Sequence, residues 1–564
     1  MSTAPSPTPP EDLHDRVRTW IEDDPDPRDR AELTALLSAA QTGDGPAGAE
    51  LADRFSGPLE FGTAGLRGVV AAGEHRMNRA VVQRAAAGLG AWLTGRLERP
   101  RVVVGLDARR GSRAFADDSA AVLTAAGCEV LLLPRPLPTP LLAFAVRRFD
   151  ADAGVMVTAS HNPAADNGYK VYLGGRAAGP EGRGVQIVPP ADAGIAAAIA
   201  AVGPLRDLPR ATGGWTVLGE EVVEDYLAAV TGAVRPAPGR DPRVVVTPMH
   251  GVGGPVLLEA LRRSGFDDVH VVAEQADPDP DFPTVPFPNP EEAGALDRAV
   301  ALAERVGADV VLAVDPDADR CCVAVPDPAS GGFTTLSGDD LGRVLGEELA
   351  APGAVLACSV VSSQALAAVA ARHGARFATA LTGFKWIARV PELTFGYEEA
   401  IGYCVAPEVV RDKDGISASL LVAGIVRREL AAGRTLHDVL DDLDRADGVH
   451  LTAPVTVRVE DLSLIPAAMS RLRSQPPREL GGSPVTSVED LADGVDDLPP
   501  TDGLRWRTAD GTRVVVRPSG TEPKLKSYCE VVAGAGDDLA AARAAARERL
   551  AAVTRDVRAA VGIG

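Results

Sequence analysis

Short apolar runs alternate with polar turns and with Ala-, Leu- and Arg-rich stretches along most of this chain, and this alternation constrains the fold more than any other feature. The pattern is typical of strand–helix units whose sheets are buried on both faces. It predicts an α/β protein with parallel or mixed sheets. The predicted strands span residues 102–106, 130–133, 154–158, 244–247, 269–272, 310–314, 354–361 and 514–516.

The charge balance excludes several classes of protein. The chain carries 57 Lys and Arg against 78 Asp and Glu, a formal net charge of −21. Such acidity argues against a nucleic-acid partner, which needs clustered positive charge, but it leaves room for a small basic pocket. No apolar run approaches the roughly 18 residues of a membrane span. Residues 1–11 read as a Pro-rich disordered tail instead of a signal peptide, so we expect a cytoplasmic protein with no membrane partner.

The length predicts roughly four domains, at about 150 residues per domain. The pattern breaks near residue 210, after the Pro- and Gly-rich stretch 326–332, and near 446–452. In the last domain we expect a long loop over the polar residues 474–503 and a closing helix over 539–561. The oligomeric state is not predictable from these features. The predicted domains span residues 1–210, 211–330, 331–450 and 451–564.

Three carboxylates at alternate positions follow the predicted strand 310–314. Asp315, Asp317 and Asp319 share one side of an extended or gently curved loop, where modest curvature lets them converge on a hard cation. An EF-hand is excluded, because Arg320 stands where glycine is needed and Pro326 where a bidentate glutamate is needed. The alternative interpretation is an acidic surface turn.

A serine lies on the polar loop that follows strand 154–158. We call residues 158–163 (T-A-S-H-N-P) the Ser160 loop; it also contains His161, and Lys170 follows close behind. Ligand sites in open α/β sheets lie beyond the carboxyl ends of strands, so this hydroxyl is a candidate for chemistry. Taken alone, however, these residues are better explained by a strand-end turn or a helix N-cap.

A third motif suits a phosphate dianion. Residues 517–526 (R-P-S-G-T-E-P-K-L-K) combine a Ser-Gly-Thr turn with one arginine and two lysines, which is unusual in so acidic a chain. Two weaker signals accompany it. In the first, Glu398 and Glu399 are paired acids beside aromatic residues; they could bind sugar hydroxyls or simply form a solvated turn. In the second, Arg67 lies on a glycine-rich loop.

Taken in order, these motifs resemble the α-D-phosphohexomutase superfamily of phosphoglucomutases and phosphomannomutases. The Ser160 loop resembles its phosphoserine loop, D-P-D-A-D-R its metal loop, G-Y-E-E-A-I-G-Y its sugar loop and R-P-S-G-T-E-P its phosphate loop. Residues 61–68, 247–253, 278–292 and 410–415 resemble the branch with type 2 phosphoglucomutase and phosphopentomutase. The resemblance implies four domains around a central cleft, the first three of related mixed-sheet α/β topology and the C-terminal one α+β.

The resemblance also implies a mechanism. Ser160 is expected to carry a phosphoryl group and, with Asp315, Asp317 and Asp319, to bind Mg²⁺. That group would pass to a sugar monophosphate and give a sugar bisphosphate, which is both intermediate and activator. The bisphosphate would then return its other phosphoryl group to Ser160. The expected supporting residues are Arg67 and Arg320 for phosphoryl oxygens, His161 for loop orientation, Lys170 and Lys385 for proton transfer, Glu398 and Glu399 for the sugar, and Arg517, Ser519, Gly520, Thr521 and Lys526 for the non-reacting phosphate.

The sugar loop departs from the family pattern at one position. Many hexose-specific members carry a serine after the paired acids, where this chain has Ala400. This departure weakens the transfer of hexose specificity from the family. The first expectation remains interconversion of glucose 1-phosphate and glucose 6-phosphate, with mannose or pentose phosphates as alternatives. A sugar bisphosphate synthase also stays open, while a non-enzymatic sugar-phosphate sensor is disfavoured because every reactive residue is present.

Overall fold

The computed structural model describes residues 12–62, 65–236, 238–328, 330–459, 461–496, 498–519 and 524–562, so the predicted tail over residues 1–11 lies outside the described part. Three helices come first: α1 (Leu13–Asp23), α2 (Pro27–Gln41) and α3 (Gly45–Arg54). Asp12, Asp26 and Asp44 cap their N-termini by accepting main-chain N–H groups. Buried Val17 and Leu51 belong to the apolar cluster that joins these helices.

The first sheet is mixed and covered on both faces. Its strand order is β1-β5-β4-β2-β3-β7, with β6 on β5. Val103 of β2 belongs to one apolar cluster, whereas Val102 and Val104 belong to another, as expected for a central strand with alternating side chains. The elements are β1 (Gly65–Val69), α4 (Arg79–Thr94), β2 (Arg101–Leu106), α5 (Ser112–Ala125), β3 (Glu129–Leu132), α6 (Thr139–Arg148), β4 (Ala153–Val157), β5 (Asp166–Leu173), β6 (Val185–Gln186), α7 (Ala191–Ala200) and β7 (Thr216–Val217).

Two further mixed sheets follow. The second has the order β12-β11-β10-β8-β9 and the third β14-β13-β15-β16. The elements of the second are α8 (Glu221–Ala233), β8 (Val244–Thr247), α9 (Gly254–Arg263), β9 (Val269–Val271), α10 (Asp297–Val306), β10 (Val310–Val314), β11 (Cys321–Pro326) and β12 (Phe333–Thr335). Those of the third are α11 (Gly338–Leu349), β13 (Val355–Ser359), α12 (Ala365–Arg372), β14 (Arg376–Ala380), α13 (Phe384–Ile387), β15 (Phe395–Glu398), β16 (Gly402–Cys404), α14 (Gly415–Ala431) and α15 (Leu436–Asp447).

The three mixed sheets repeat one strand order. An antiparallel strand is followed across the sheet by three parallel ones: β5-β4-β2-β3, β11-β10-β8-β9 and β16-β15-β13-β14. In each sheet a short loop joins the antiparallel strand to the parallel strand beside it: β4 leads into β5, β10 into β11 and β15 into β16. The Ser160 loop follows β4, the three aspartates follow β10, and the paired glutamates lie at the end of β15, with Glu398 in the strand and Glu399 just after it. The three loops therefore occupy equivalent positions, and the predicted related mixed-sheet topology is confirmed.

The last sheet is antiparallel throughout, in the order β17-β22-β21-β20-β19-β18. The final helix begins and ends where the sequence pattern predicts, and the predicted α+β class of this domain is confirmed. Among the described helices of the whole chain, none is long and apolar enough to cross a bilayer. The elements are β17 (Val449–Arg458), α16 (Leu464–Ser474), β18 (Glu479–Leu480), β19 (Ser483–Asp490), β20 (Leu504–Thr508), β21 (Arg513–Pro518), β22 (Lys524–Ala533) and α17 (Leu539–Val561).

The prediction of a long loop over residues 474–503 is wrong. This stretch contains the β18–β19 hairpin, and β19 pairs with β20. Gly481 and Gly482 lie between the paired residues Leu480 and Ser483, and both adopt positive φ, as a two-residue hairpin turn requires. The strand lies near the edge of the sheet and is partly exposed, so its composition is polar and resembles that of a loop.

A buried carboxylate joins the third and fourth domains. Glu530 of β22 is 1% exposed and lies 2.9 Å from the Arg513 guanidinium. Its carboxylate accepts hydrogen bonds from the Ser363 hydroxyl at 2.7 Å and the Gln364 N–H at 2.8 Å, and it lies 3.1 Å from His450 Nδ1. Burial alone would raise the pKa of Glu530, but Arg513 and the His450 and Ser363 contacts hold it at about 2.

We predict that Glu530→Gln lowers the thermal unfolding temperature at pH 7, because it leaves Arg513 buried without its counter-charge, a loss of about 3 kcal/mol. The folded pKa lies below the unfolded value of about 4.3, so the stabilisation is complete above about pH 5 and is lost as the pH falls toward 2. The difference between the wild type and the variant should therefore shrink below about pH 4.

Glu259→Gln is the matched control. Hydrogen bonds from Arg262 and Arg263 also lower the pKa of Glu259 to about 2, but this group lies at the surface, where ion pairs contribute little. Thermal unfolding followed by circular dichroism compares the two variants. Equal, small effects of both substitutions would contradict the structural role of Glu530.

Candidate active site

The Ser160 hydroxyl points into the second domain. Ser160 follows β4 in a left-handed conformation with φ of 51°, and its N–H donates to Thr158 Oγ1 at 2.9 Å. Its Oγ donates to Asp315 Oδ2 at 2.7 Å and lies 3.2 Å from His161 Nδ1. The residue is 5% exposed. The Ser160 loop and the aspartate turn, which are 155 residues apart in sequence, thus meet through this side chain.

The three aspartates converge as the sequence predicts. One oxygen from each of Asp315, Asp317 and Asp319 lies within 4.8 Å of the others, and all three residues are buried. The turn closes through the Ala318 N–H, which donates to the Asp315 carbonyl at 2.8 Å. Burial, then the two neighbouring carboxylates, raises the pKa of Asp315 well above its usual range. Such a group of hard oxygen donors fits a divalent cation.

Two unpartnered oxygens strengthen the fit to a metal. Asp317 Oδ1 and Asp319 Oδ1 are buried and have no hydrogen-bond partner among the described residues. Buried carboxylate oxygens are costly unless a hydrogen-bond donor or a cation satisfies them. The three aspartates and the Ser160 oxygen are therefore the residues that could hold Mg²⁺.

Lysines flank the acidic turn. Lys170 of β5 lies 2.7 Å from Asp317 Oδ2 and 3.0 Å from Asp319 Oδ2, and Lys413 lies 3.3 Å from the same Asp319 oxygen. Burial would raise the pKa of Asp319, but Lys170, Lys413 and Arg320 hold it below its usual range. The cluster of acids is thus partly neutralised by cations from the first and third domains.

Lys385 differs from these lysines in its surroundings. It lies in the first turn of α13, directly after the sheet strand β14 and the loop at Gly383, and it is 7% exposed. Burial, with the nearby Arg389 guanidinium, lowers its pKa to about 8 against the opposing Asp192 carboxylate. An amine with a pKa near 8 is partly neutral at physiological pH and can accept a proton.

The paired glutamates lie at the equivalent loop of the third domain. Glu399 accepts hydrogen bonds from the hydroxyls of Ser359 at 3.0 Å and Ser362 at 3.1 Å. Burial raises the pKa of both Glu398 and Glu399, while Lys413 and Arg320 act in the opposite direction on Glu398. A Cβ at Gly338 would lie 1.9 Å from the Glu399 carbonyl, so the start of α11 packs directly under this loop.

The phosphate motif lies in the β21–β22 hairpin. Arg517 and Lys526 are cross-strand partners, and the Ser519 N–H donates to the Lys524 carbonyl at 2.8 Å. The predicted phosphate residues Gly520 and Thr521 lie outside the described part of the chain. Lys526 and Glu399 both act electrostatically on Glu291, whose pKa is raised chiefly by burial. The hairpin of the fourth domain therefore faces the loops of the second and third.

The remaining predicted residues surround the Ser160 loop. Arg67 of β1 donates to Asn162 Oδ1 at 2.9 Å. Arg320 Nη1 lies 3.5 Å from Glu291. Burial, then the cations Arg320 and Arg67, lowers the pKa of His161 well below its usual value. The described residues of all four predicted motifs thus lie around one region between the domains.

Family comparison identifies this arrangement. Sequence profiles of phosphoglucomutase/phosphomannomutase match four consecutive stretches: alpha/beta/alpha domain I over residues 58–202, domain II over 224–331, domain III over 337–445 and the C-terminal domain over 455–553. The chain belongs to the phosphoglucomutase/phosphomannomutase family. It is a phosphomutase enzyme of the α-D-phosphohexomutase superfamily and acts on sugar phosphates. The domain boundaries near residues 210, 330 and 450 stay predictions.

Relatives of this phosphomutase carry different substrate names. A probable phosphomannomutase of Haemophilus influenzae is 46% identical over 80% of this chain and 93% of its own length. A Staphylococcus epidermidis phosphoglucomutase is 35% identical over 83% of this chain and 90% of its own length. A Pongo abelii phosphopentomutase is 33% identical over 86% of this chain and 87% of its own length. The crystal structure of a candidate phosphomannomutase from Thermus thermophilus matches with a TM-score of 0.67 and 26% identity over 90% of this chain and 99% of that chain.

Sequence reasoning missed four residues that the structure brings to the phosphomutase site. Lys413 and Glu291 lie in segments 410–415 and 278–292, for which a family resemblance is the only signal. Thr139 Oγ1 donates to Asp317 Oδ2 at 2.6 Å from the start of α6, and Arg109 contacts the Ser160 loop from the end of β2. Neither Thr139 nor Arg109 lies in a motif, so only the tertiary structure reveals them.

We predict that Mg²⁺ raises the thermal unfolding temperature of the wild type, because a cation that binds the folded aspartates stabilises the folded state. Mutation of a residue that only supports a metal ligand typically weakens metal affinity by about 10- to 100-fold. Asp317→Asn removes a ligand itself, so calorimetric titration should show a larger loss of Mg²⁺ affinity. Asp297→Asn, at an exposed acid in the first turn of α10, is the control. A wild-type response to Mg²⁺ in Asp317→Asn would exclude this cation site.

Proposed function

We propose that this phosphomutase moves a phosphoryl group between the C1 and C6 hydroxyls of glucose, through phosphorylated Ser160 and a glucose bisphosphate intermediate. The contact between Ser160 Oγ and Asp315 Oδ2 at 2.7 Å carries the proposal. It sets a buried hydroxyl on a loop directly beside a carboxylate group suited to a cation, which is the pairing that phosphoryl transfer needs.

Asp315, Asp317, Asp319 and an oxygen on Ser160 would hold Mg²⁺ in this proposal. When bound, the cation offsets the negative charge of the transferring phosphoryl oxygens. Lys170 and Arg320 add positive charge at the same place, since Lys170 contacts two of the aspartates and Arg320 follows them directly. Arg67, which donates to Asn162 Oδ1, and His161, whose Nδ1 lies 3.2 Å from Ser160 Oγ, would orient the Ser160 loop.

The steps follow from the positions of the loops. The phosphate that does not react is held by Arg517, Ser519 and Lys526 of the β21–β22 hairpin, which would fix the sugar in the cleft. A sugar hydroxyl attacks the phosphorus on Ser160, and its O–P bond forms as the Ser160 O–P bond breaks. The hydroxyl proton passes to the Lys385 amine, while the departing Ser160 oxygen takes a proton from the Lys170 ammonium, and both proton transfers reverse when Ser160 takes back a phosphoryl group. The bisphosphate then turns end for end and returns its other phosphoryl group to Ser160.

Three sugars are candidates for the substrate, and glucose is the first. Glu398 and Glu399 suit adjacent sugar hydroxyls as acceptors, and glucose and mannose share the arrangement of hydroxyls at C3 and C4. Mannose phosphate is the second candidate, supported by the name of the Haemophilus influenzae relative. Pentose phosphate is the third, supported by the Pongo abelii relative and by Ala400 where many hexose enzymes have a serine.

We predict that kcat/KM is highest for glucose 1-phosphate in a comparison with the 1-phosphates of mannose, ribose and deoxyribose. A hexose site should disfavour pentoses by about 10-fold or more, because unpaired carboxylates remain where hydroxyls are missing. The assay contains only catalytic amounts of the matching bisphosphate. Isomerisation of the sugar 1-phosphate under these conditions indicates a mutase, whereas no isomerisation indicates a bisphosphate synthase. A higher value for either pentose phosphate, or for mannose 1-phosphate, would overturn the assignment of glucose.

A further inference from the structure

Arg109 is a buried arginine that lies just beyond β2, outside every motif that the sequence singles out. Its side chain is 1% exposed. The end of β2 lies beside β4 in the first sheet, because residues 102–106 pair with residues 153–157. The arginine therefore sits at the same edge of the sheet from which the Ser160 loop leaves.

The Arg109 guanidinium donates four hydrogen bonds to main-chain carbonyls of one short segment. Nη2 donates to the carbonyls of Ser160 and Asn162 at 2.6 and 2.5 Å. Nη1 donates to those of Pro163 and Asp166 at 2.8 and 3.1 Å. All four acceptors lie between residues 160 and 166, so this one side chain fixes the backbone that carries the reactive hydroxyl.

The guanidinium is itself held on two sides. Asp107 Oδ2 lies 3.5 Å from Nε, and Asp107 Oδ1 accepts the Arg109 N–H at 2.9 Å and the Ser112 hydroxyl at 2.6 Å. On the other side, the guanidinium carbon lies 4.9 Å from the centre of the Phe282 ring, which belongs to the second domain. Arg109 thus connects the first sheet, the Ser160 loop and the domain that supplies the aspartates.

The Ser160 loop needs such support. Ser160 has φ of 51°, a left-handed conformation that residues with a side chain rarely adopt. Its carbonyl is one of the four acceptors, so the bond from Nη2 holds the peptide group next to this unusual dihedral angle. A small rotation there would move Oγ away from Asp315 and from an attacking sugar hydroxyl.

We propose that Arg109 is a positioning residue for phosphoryl transfer: it sets the backbone from Ser160 to Asp166 and so aims Oγ at the aspartates. This inference rests on the proposed role of Ser160. A lysine cannot replace Arg109, because one ammonium group with three N–H bonds cannot span four carbonyls that the planar guanidinium reaches from two nitrogens.

The test compares Arg109→Lys and Arg109→Ala with Arg110→Ala. Arg110 is the adjacent, exposed residue and forms an ion pair with Asp281 across the same domain boundary, so it controls for the loss of an interdomain contact. We expect both Arg109 variants to lose about 100-fold in kcat with KM within about 2-fold, the pattern of a misplaced reacting group. Arg110→Ala should retain wild-type kcat.

Chemical rescue separates positioning from general loss of structure. Millimolar guanidinium, far below denaturing concentrations, should restore part of the kcat of Arg109→Ala and leave Arg110→Ala and the wild type unchanged. If Arg109→Ala does not fold, Phe282→Leu serves in its place; it removes the aromatic face while retaining an apolar side chain, and should lower kcat by several-fold without a change in KM.

Three outcomes overturn the inference: wild-type kcat in Arg109→Lys, a loss confined to KM, or a loss in Arg110→Ala equal to that in the Arg109 variants. Failure of the proposed function is seen separately, by intact-mass measurement of the wild type. If wild-type enzyme treated with glucose 1,6-bisphosphate carries no phosphoryl group on Ser160, the proposed function fails whatever the Arg109 variants do. If it carries one and Arg109→Lys is fully active, only the positioning role fails.

Discussion

Charge repulsion among three buried carboxylates is the constraint on which the rest of this active site depends. Asp315, Asp317 and Asp319 share one turn, with oxygens within 4.8 Å of one another. Such a group is costly in a protein interior unless cations and donors surround it. Lys170 supplies positive charge from the first domain, and the Ser160 hydroxyl donates to the group from the same domain. The carboxylate group that makes the site costly also accepts the hydrogen bond from Ser160.

The repeated strand order explains how loops distant in sequence meet. In each of the three mixed sheets, a parallel strand runs into a short loop and returns as its antiparallel neighbour. The same position carries a serine in the first sheet, aspartates in the second and glutamates in the third. The fourth domain contributes the paired strands β21 and β22 instead, and Glu530 joins that domain to the third through Ser363 and Gln364. One topology thus provides three different chemical groups around one cleft.

The sequence predicts parallel strands such as β2, β4, β8 and β10, because they are continuous apolar runs that end in polar turns, but it misses their antiparallel partners β5 and β11. It predicts the aspartate group for a similar reason, since ligands at alternate positions are a local pattern. The β18–β19 hairpin resembles a loop in sequence because an edge strand is polar on its exposed face. Arg109 and Thr139 could not be predicted, because their roles arise only where β2 and α6 meet loops that are distant along the chain.

The central claim is that Ser160 carries the phosphoryl group in transit, and intact-mass analysis with peptide mapping tests it most directly. Wild-type enzyme incubated with glucose 1,6-bisphosphate should gain one phosphoryl group on Ser160 and should lose it when glucose 1-phosphate is added in excess. Ser160→Ala should gain none and should have no mutase activity while retaining the wild-type circular dichroism spectrum. A phosphoryl group on an aspartate, or full activity in Ser160→Ala, would contradict the mechanism.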